Sequence, residues 1–366
     1  MLPRNWAKLF ATRIFSGFLM ADSQTLQRNT TDLDLNRFAR VHLCHQPTPI
    51  EPMPRLSEHL GGPALFIKRD DCTGLATGGN KTRKLEFLVG EAMQAKADML
   101  VTQGAVQSNH VRQTAAAACK VGMKCHVLLE RRVPDRDAAY EVTGNVLLDT
   151  LFGASHEFRP PGLDMNAEAE AVTEKLRAAG HRPYFIPGGG SNPTGALGYV
   201  NCAREIAEHC RTTGQTFDWL VMGTGSTGTQ AGLVAGFHAL GHGLPVMGVS
   251  VRQPRDRQMK AVHALTQRTL EKLDAGSVPL SQILVDDGYV GAGYGIPADS
   301  TLEAIHLTAR QEGILLDPVY SAKGMAGMIG MVRQGFFKPT DTVLFLHTGG
   351  ATALFAYQDQ LLASLK

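Results

Sequence analysis

The sequence lacks any paired cysteine motif, although it contains six cysteines. None of them forms a CxxC pair, and none stands at metal-ligand spacing from a histidine. We therefore expect free thiols in a reducing compartment, which favours a cytoplasmic protein, and no bound metal. The six are Cys44, Cys72, Cys119, Cys125, Cys202 and Cys210.

The chain also lacks an excess of charge of either sign. It carries 36 lysines and arginines against 34 aspartates and glutamates, a formal net charge of +2. This balance argues against a large basic face, and so against nucleic acid as a partner. With 43% hydrophobic and 19% charged residues, the 366-residue chain has the composition of a soluble globular protein and the length for two α/β lobes.

The first twenty residues lack acidic side chains. Basic residues alternate with large apolar residues spaced four apart, which would place the apolar ones on one helix face. This pattern has two interpretations: a mitochondrial transit peptide, or an upstream start with Met20 as the true first residue of a cytoplasmic protein. The apolar stretch is too short and too interrupted by charge to span a membrane. The residues concerned are Arg4, Trp6, Lys8, Phe10, Arg13, Ile14 and Phe18.

Short apolar runs alternate with helical patterns through most of the chain, and no internal repeat interrupts them. Strands separated by helices predict an α/β fold with parallel sheets and right-handed crossovers. Ligands bind at the carboxyl ends of such strands, so the loops that follow the strands are the candidate sites.

Two glycine-rich loops are the clearest candidates. Gly78-Gly79-Asn80-Lys81 places a lysine at a helix start, where the helix dipole and burial would lower its pKa and leave an amine able to attack an aldehyde. The alternative is a surface lysine on a capped helix. The loop at 223–229, Gly-Thr-Gly-Ser-Thr-Gly-Thr, has the amides and hydroxyls of a phosphate site.

The 223–229 loop also matches GxGxxG, the dinucleotide fingerprint. The next strand, 246–251, runs into Arg252 rather than the acidic residue that would contact a ribose, so an NADP oxidoreductase stays open as an alternative. The hydroxyls of Ser226, Thr227 and Thr229 suit a monophosphate better.

Two further loops and two tyrosines are weaker signals. Ser108 or Asn109, in the loop at 104–110, would either bind a carboxylate or cap the following helix. Thr348, in the turn at 347–350, would face a ring nitrogen or form an ordinary turn. Tyr294 and Tyr320 are loop aromatics that serve either packing or chemistry.

In this order the motifs resemble the family of D-cysteine desulfhydrases and 1-aminocyclopropane-1-carboxylate (ACC) deaminases. The resemblance covers residues 38–360. It rests on GGNKTRKLEFL (78–88), QSNHVRQTAA (107–116), IPGGGSNPTGALGY (186–199), GTGSTGTQAG (223–232), GYGIP (293–297), ILLDPVYSAKGMAG (314–327) and HTGG (347–350).

The resemblance implies a two-lobed, tryptophan-synthase-β-like (fold type II) enzyme that uses pyridoxal 5'-phosphate (PLP) and forms a homodimer. Parallel sheets flanked by helices would make a large domain over 38–90 and 185–366 and a small domain over 91–184. Residues 1–37 would be an extension, either disordered or targeting.

The family's roles carry over by motif to fifteen positions. Lys81 would hold PLP as a Schiff base and, with Ser108, Tyr294 and Tyr320, carry the catalysis. The cofactor would be bound by Asn80, Asn109, Gly225, Ser226, Thr227, Gly228, Thr229 and Thr348, and the substrate by Gln103, Gln107, Ser108, Asn109 and His110.

Ser321 and Thr348 stand where ACC deaminases typically carry a glutamate and an aliphatic residue. A hydroxyl leaves the pyridine nitrogen neutral, which disfavours ring opening and favours β-elimination of a sulfur group. The stretches 42–49, 102–110, 144–149 and 188–194 look closest to L-cysteate sulfo-lyases, with the Gln103 amide seating a sulfonate.

We therefore expect a carbon–sulfur lyase that converts L-cysteate to pyruvate, sulfite and ammonium. The first alternative is D-cysteine desulfhydrase, which releases sulfide. An ACC deaminase is less favoured, and a non-catalytic PLP-binding protein is the remaining class.

Overall fold

The computed structural model describes residues 33–365. The predictions for residues 1–32, a transit peptide or a start at Met20, lie outside this range. Within it, helices and strands alternate as the sequence predicts. The strands are β1 (Ile50–Pro52), β2 (Ala64–Arg69), β3 (Met99–Ala105), β4 (Lys124–Glu130), β5 (Ser155–Arg159), β6 (Pro183–Ile186), β7 (Trp219–Thr224), β8 (Val246–Ser250), β9 (Leu284–Asp286) and β10 (Thr342–His347).

The helices cover the sheets and carry most of the apolar periodicity. They are α1 (Pro54–Leu60), α2 (Lys81–Gln94), α3 (Asn109–Lys120), α4 (Gly144–Leu151), α5 (Met165–Ala178), α6 (Pro193–Thr213), α7 (Gly228–Ala239), α8 (Arg255–Leu273), α9 (Asp299–Glu312), α10 (Ser321–Arg333) and α11 (Gln358–Ala363).

The strands form two sheets. One has six strands in the order β1-β2-β10-β7-β8-β9, and the other has four in the order β5-β4-β3-β6. Every pairing is parallel except that of the edge strand β1, which runs antiparallel to β2 with Ile50 opposite Lys68. The predicted α/β class with parallel sheets flanked by helices is therefore confirmed.

The apolar pattern did not predict every element, and a strand and a long helix show why. Strand β5 is mostly exposed and polar, so it lacks an apolar run. Helix α8 buries only seven of its nineteen residues, with charged side chains between them. The division into a small domain over 91–184 and a large domain stays a prediction. Strand β6 crosses one proposed boundary, because it pairs with β3 in the four-stranded sheet.

The segment before α1 packs against α2. The Glu86 carboxylate, buried in that helix, accepts hydrogen bonds from the backbone N–H groups of Leu43 and Cys44, each at 2.9 Å, and from the Arg40 guanidinium. Because α2 begins at Lys81, these contacts help to fix the element that carries the candidate nucleophile.

No helix between residues 33 and 365 is long and apolar enough to cross a membrane. Over the same residues no group of three or more histidine, cysteine or acidic side chains is placed to hold a metal ion.

Candidate active site

A cavity of about 180 Å³ opens where the carboxyl ends of strands from both sheets meet. The loops that follow β3, β4, β6, β7, β8 and β10 all reach it. Of the residues predicted for the site, it is lined by Asn80, Lys81, Gln103, Ser108, Asn109, His110, Gly225, Ser226, Thr227, Thr229, Tyr294, Tyr320 and Thr348.

Lys81 is placed by the glycine turn before it. A Cβ on Gly78, whose φ is +77°, would lie 1.8 Å from the backbone oxygen of Asp71, so only glycine fits. Asn80, the residue before Lys81, is held in place because its N–H donates to the Thr348 carbonyl at 3.0 Å. The Lys81 amine thus projects into the cavity from the first residue of α2.

Burial lowers the pKa of Lys81 to about 8, against smaller opposing effects of Lys84 and Asp317. A lysine in solution has a pKa near 10.4. The neutral amine, which is the nucleophile, is therefore far more abundant at neutral pH than in an exposed lysine.

This pKa predicts the pH dependence of Lys81 labelling. In protein stripped of its cofactor, acylation of Lys81 by acetic anhydride should rise with pH, reach half its maximum near pH 8 and then level off. A free lysine in an added model peptide should still be rising there, because such an amine has a pKa near 10.4. Mass spectrometry of the two peptides measures both curves, and coincident curves would contradict the lowered pKa.

Lys84 is a second buried amine that the sequence reasoning missed. Its Nζ donates to the Gly189 carbonyl at 3.1 Å and lies 3.5 Å from the Ser191 hydroxyl. Burial and the neighbouring Lys81 hold the pKa of Lys84 well below its usual value. The available signal was the spacing of the two lysines, three apart on one helix face.

The loop at 225–229 turns β7 into α7 and points that helix N-terminus at the cavity. Thr227 adopts φ +71°, a strained conformation for a β-branched residue that is typical of functional sites. The Ser191 hydroxyl accepts the Gly228 N–H at 3.2 Å and bonds to Ser226 Oγ at 3.1 Å. Gly228 itself stands just behind the cavity wall.

These groups form a site for an anion. A Cβ on Gly228 would lie 2.9 Å from Lys84 Nζ, so the buried amine stands beside the helix N-terminus. The charged form of a buried amine that has no carboxylate partner is unfavourable unless an anion binds beside it. A helix N-terminus favours the same anion. These groups fit the phosphate of PLP, and Lys81 would bind its aldehyde. On the cavity wall, Asn80 donates to Thr229 Oγ1 at 3.0 Å.

The opposite wall is polar and holds the start of α3. Ser108 caps that helix by accepting the Val111 N–H at 3.2 Å. His110 bonds to Thr102 Oγ1 at 2.8 Å through Nε2, while its buried Nδ1 has no partner in the described protein. Burial, followed by the two lysine charges, holds the pKa of His110 well below its usual value, so the ring is neutral. Because Thr102 Oγ1 donates its proton to the Ile186 carbonyl, the neutral ring carries its proton on Nε2 and its Nδ1 can only accept a hydrogen bond. The helix N-terminus is the part of this wall that suits a substrate carboxylate.

The two tyrosines meet across the cavity. Their hydroxyls are 2.9 Å apart, and burial raises the pKa of both. Arg132 lies over the Tyr294 ring at 5.2 Å and partly opposes the rise for Tyr294. The pair therefore holds its protons at neutral pH and offers one as a donor.

The structure places two residues away from the cavity. The Gln107 side chain is buried but turned away from the cavity. Its amide nitrogen donates to the Tyr140 and Thr143 carbonyls, and its oxygen accepts the Asn145 N–H. The Ser321 hydroxyl is likewise occupied, since it donates to the Asp317 carboxylate at 2.6 Å. Gln103 does line the cavity, with its amide donating to Asn166 at 2.9 Å.

Comparisons with known proteins agree with this chemistry. Residues 41–349 match the family described as pyridoxal-phosphate dependent enzyme. A D-cysteine desulfhydrase from Klebsiella pneumoniae is 46% identical over 328 residues, which cover 90% of this chain and 99% of that protein. A crystal structure of an ACC deaminase homologue superposes with a TM-score of 0.83 at 35% identity, covering 93% of this chain and all of the other.

These matches give no support to an NADP oxidoreductase. Like the anion site and the buried amine, they indicate PLP as the cofactor. The chain belongs to the pyridoxal-phosphate dependent enzymes, within the group of D-cysteine desulfhydrases and ACC deaminases.

Proposed function

We propose that this enzyme removes the sulfur substituent of D-cysteine by β-elimination and yields pyruvate, sulfide and ammonium. The observation that carries the proposal is that Lys81, the 225–229 anion site and the Tyr294–Tyr320 pair all face the same cavity. The likeness to a protein named D-cysteine desulfhydrase supports this substrate over L-cysteate, which the sequence alone favoured.

Bound PLP supplies an electron sink that stabilises negative charge at the Cα of an amino acid. The protein's own residues do the rest. The start of α3, with its N-terminal amides and the Ser108 hydroxyl, binds the substrate carboxylate. The Lys81 amine, neutral in a large fraction of molecules near pH 8, takes the Cα proton.

The hydrogen-bonded tyrosines act on the other end of the substrate. Because burial keeps both hydroxyls protonated, the pair can donate a proton to the departing sulfur. General acid help of this kind contributes about 10²–10⁴-fold to a rate.

A substrate panel tests the proposal. Purified enzyme with PLP should release pyruvate and sulfide from D-cysteine faster than from L-cysteine, and should release little 2-oxo acid from ACC. Pyruvate, sulfide, sulfite and ammonium are measured for each compound, with L-cysteate in the panel. Sulfite release from L-cysteate well above sulfide release from D-cysteine would reverse the order of the two candidates, and no product from any compound would favour a non-catalytic PLP-binding protein.

One observation favours L-cysteate as a second candidate substrate. Two arginines, Arg132 and Arg252, line the cavity, and both charges act on the Tyr294 hydroxyl. Arg132 is also paired with Glu130, whereas Arg252 is exposed at the cavity edge after β8. A guanidinium binds a sulfonate better than it binds a thiol, because only the former is an anion with several acceptor oxygens.

Replacing Arg252 with glutamine should separate the two substrates. We expect the KM for L-cysteate to rise about tenfold, the loss of one charge-assisted hydrogen bond, while the KM for D-cysteine changes less than about twofold. Steady-state kinetics on both substrates measure this. Arg257→Gln, on the exposed side of α8 and away from the cavity, is the matched control. Equal effects on the two substrates would remove the argument for a sulfonate.

We also propose that the enzyme is a homodimer, as the resemblance implies. A row of exposed apolar side chains, Val142, Leu147, Leu151 and Phe355, offers a surface for a second copy.

A further inference from the structure

The loop that carries Tyr294 needs support from outside itself. It runs from β9 to α9 and contains glycines at 291, 293 and 295, with φ values of +66°, +149° and +70°. Glycines in these conformations give a backbone many accessible states. The Tyr294 hydroxyl is nevertheless held 2.9 Å from that of Tyr320.

Lys323 supplies that support. Its side chain is 0% exposed, and its Nζ donates to the Val290 carbonyl at 2.6 Å and to the Gly293 carbonyl at 2.7 Å. The second carbonyl belongs to the residue directly before Tyr294. Burying a lysine is costly unless its hydrogen bonds are satisfied, so these two carbonyls account for its place in the fold.

The same helix turn fixes the other tyrosine. The Asp317 carboxylate accepts the N–H groups of Val319 and Tyr320, each at 3.0 Å, and that of Ser321 at 2.7 Å. Asp317 thereby holds Tyr320 at the start of α10, while Lys323, in the first turn of that helix, holds the loop of Tyr294. Asp317 also favours the charged form of Lys323, against the effect of burial.

We propose that Lys323 is a positioning residue that sets the Tyr294–Tyr320 hydrogen bond by clamping the 290–293 turn. The part of this proposal that concerns turnover rests on the proposed function, in which the tyrosine pair donates a proton. On the far side of Tyr294, the Tyr357 hydroxyl donates to the Gly295 carbonyl at 2.9 Å, so the loop is tied at both ends. Removal of Lys323 alone should therefore loosen the loop without releasing it.

Hydrogen–deuterium exchange tests the clamp without any substrate. In Lys323→Met holoenzyme, amides in residues 287–298 should exchange about tenfold faster than in the wild type. Lys68→Met is the matched control, because it removes another buried lysine, which bonds to the Thr48 carbonyl and to Glu205 and makes no hydrogen bond to this loop. Unchanged exchange in the Lys323 variant, or an equal rise in the Lys68 variant, would overturn the clamp. Lys323→Arg, which keeps a charged donor, should restore slow exchange and serves if the methionine variant does not fold.

A double-mutant cycle tests whether the clamp acts through Tyr294. Lys323→Met should lower kcat about tenfold with little change in KM, and it should have almost no further effect in the Tyr294→Phe background. Equal factors in both backgrounds would mean that Lys323 supports the fold and not the tyrosine pair. A wild type without turnover on the whole panel would refute the proposed function, and the exchange experiment would still decide the clamp.

Discussion

Replacing Lys81 with alanine should abolish pyruvate release and the visible absorption of covalently held PLP. The amine at this position is the proposed nucleophile, and burial lowers its pKa to about 8. Without it, no group at the start of α2 can bind the aldehyde or take the Cα proton. The rate should fall by more than the 10²–10⁴-fold of a single general base, since both roles are lost. Absorption spectra and pyruvate assays of the purified variant measure the two effects.

Lys84→Ala is the informative control. Lys84 lies one turn further along α2 beside the anion site, so its loss should weaken PLP binding while leaving the covalent attachment at Lys81 intact. Activity of this variant should recover at high PLP concentration. If Lys84→Ala loses the absorption and Lys81→Ala keeps it, the attachment point is Lys84.

The second large effect should come from a buried ion cluster under the site. Arg83 lies two residues after Lys81, and its guanidinium donates to Asp70 at 2.7 and 2.9 Å and to Glu205 at 2.7 and 2.8 Å. Both Arg83 and Asp70 are completely buried. Tyr199 and Thr48 complete the hydrogen bonds of the Asp70 carboxylate, at 2.6 and 2.7 Å.

Arg83→Met should lower the free energy of unfolding by about 3–5 kcal/mol, the usual cost of leaving a buried charge without its partner. Urea unfolding at neutral pH measures it. Arg333→Met removes the exposed pair with Glu303, held at 2.6 Å, and should cost less than about 1 kcal/mol. A loss for Arg83→Met no larger than for this control would show that the cluster contributes little.

The same variant has a predictable pH dependence. Burial raises the pKa of Asp70, but Arg83, Lys68 and the hydrogen bonds outweigh it and bring the pKa below its ordinary value. A lowered carboxyl pKa contributes stability above the unfolded value of about 3.9, and this contribution is lost as the pH falls through the folded value. The Arg83→Met variant lacks that contribution, so the difference in free energy of unfolding between it and the wild type should shrink below about pH 4.

Several features of the site were readable from the residues alone. Gly-Gly-Asn-Lys and the hydroxyl-rich loop at 223–229 each follow a strand, and parallel strands bring their carboxyl ends to one edge. Local chemistry was therefore enough to predict a nucleophilic amine and a phosphate site, and the order of the motifs identified the family. The preference for L-cysteate rested on short stretches outside the reacting groups, and the likeness to D-cysteine desulfhydrase favours the alternative.

Other features depend on contacts between distant parts of the chain. Gln107 looked like a site residue, but partners more than thirty positions along the chain turn its side chain away. Ser321 is held by a nearer partner, the carboxylate of Asp317 in the turn before α10. Lys84 and Lys323 looked like ordinary helix lysines, and only their burial beside the anion site and under the Tyr294 loop gives them a role.

The sequence by itself determined the α/β class, because that class follows from local patterns of strand, loop and helix. The cofactor followed from the resemblance of the ordered motifs to a known family, and Lys81 as the residue that binds it stays a prediction. The tertiary structure decided which polar side chains face the cavity and which are held elsewhere. The physical reason is that a buried polar group takes whichever partner the fold brings within hydrogen-bonding distance, and for Gln107, Lys84 and Lys323 that partner lies far away in the chain.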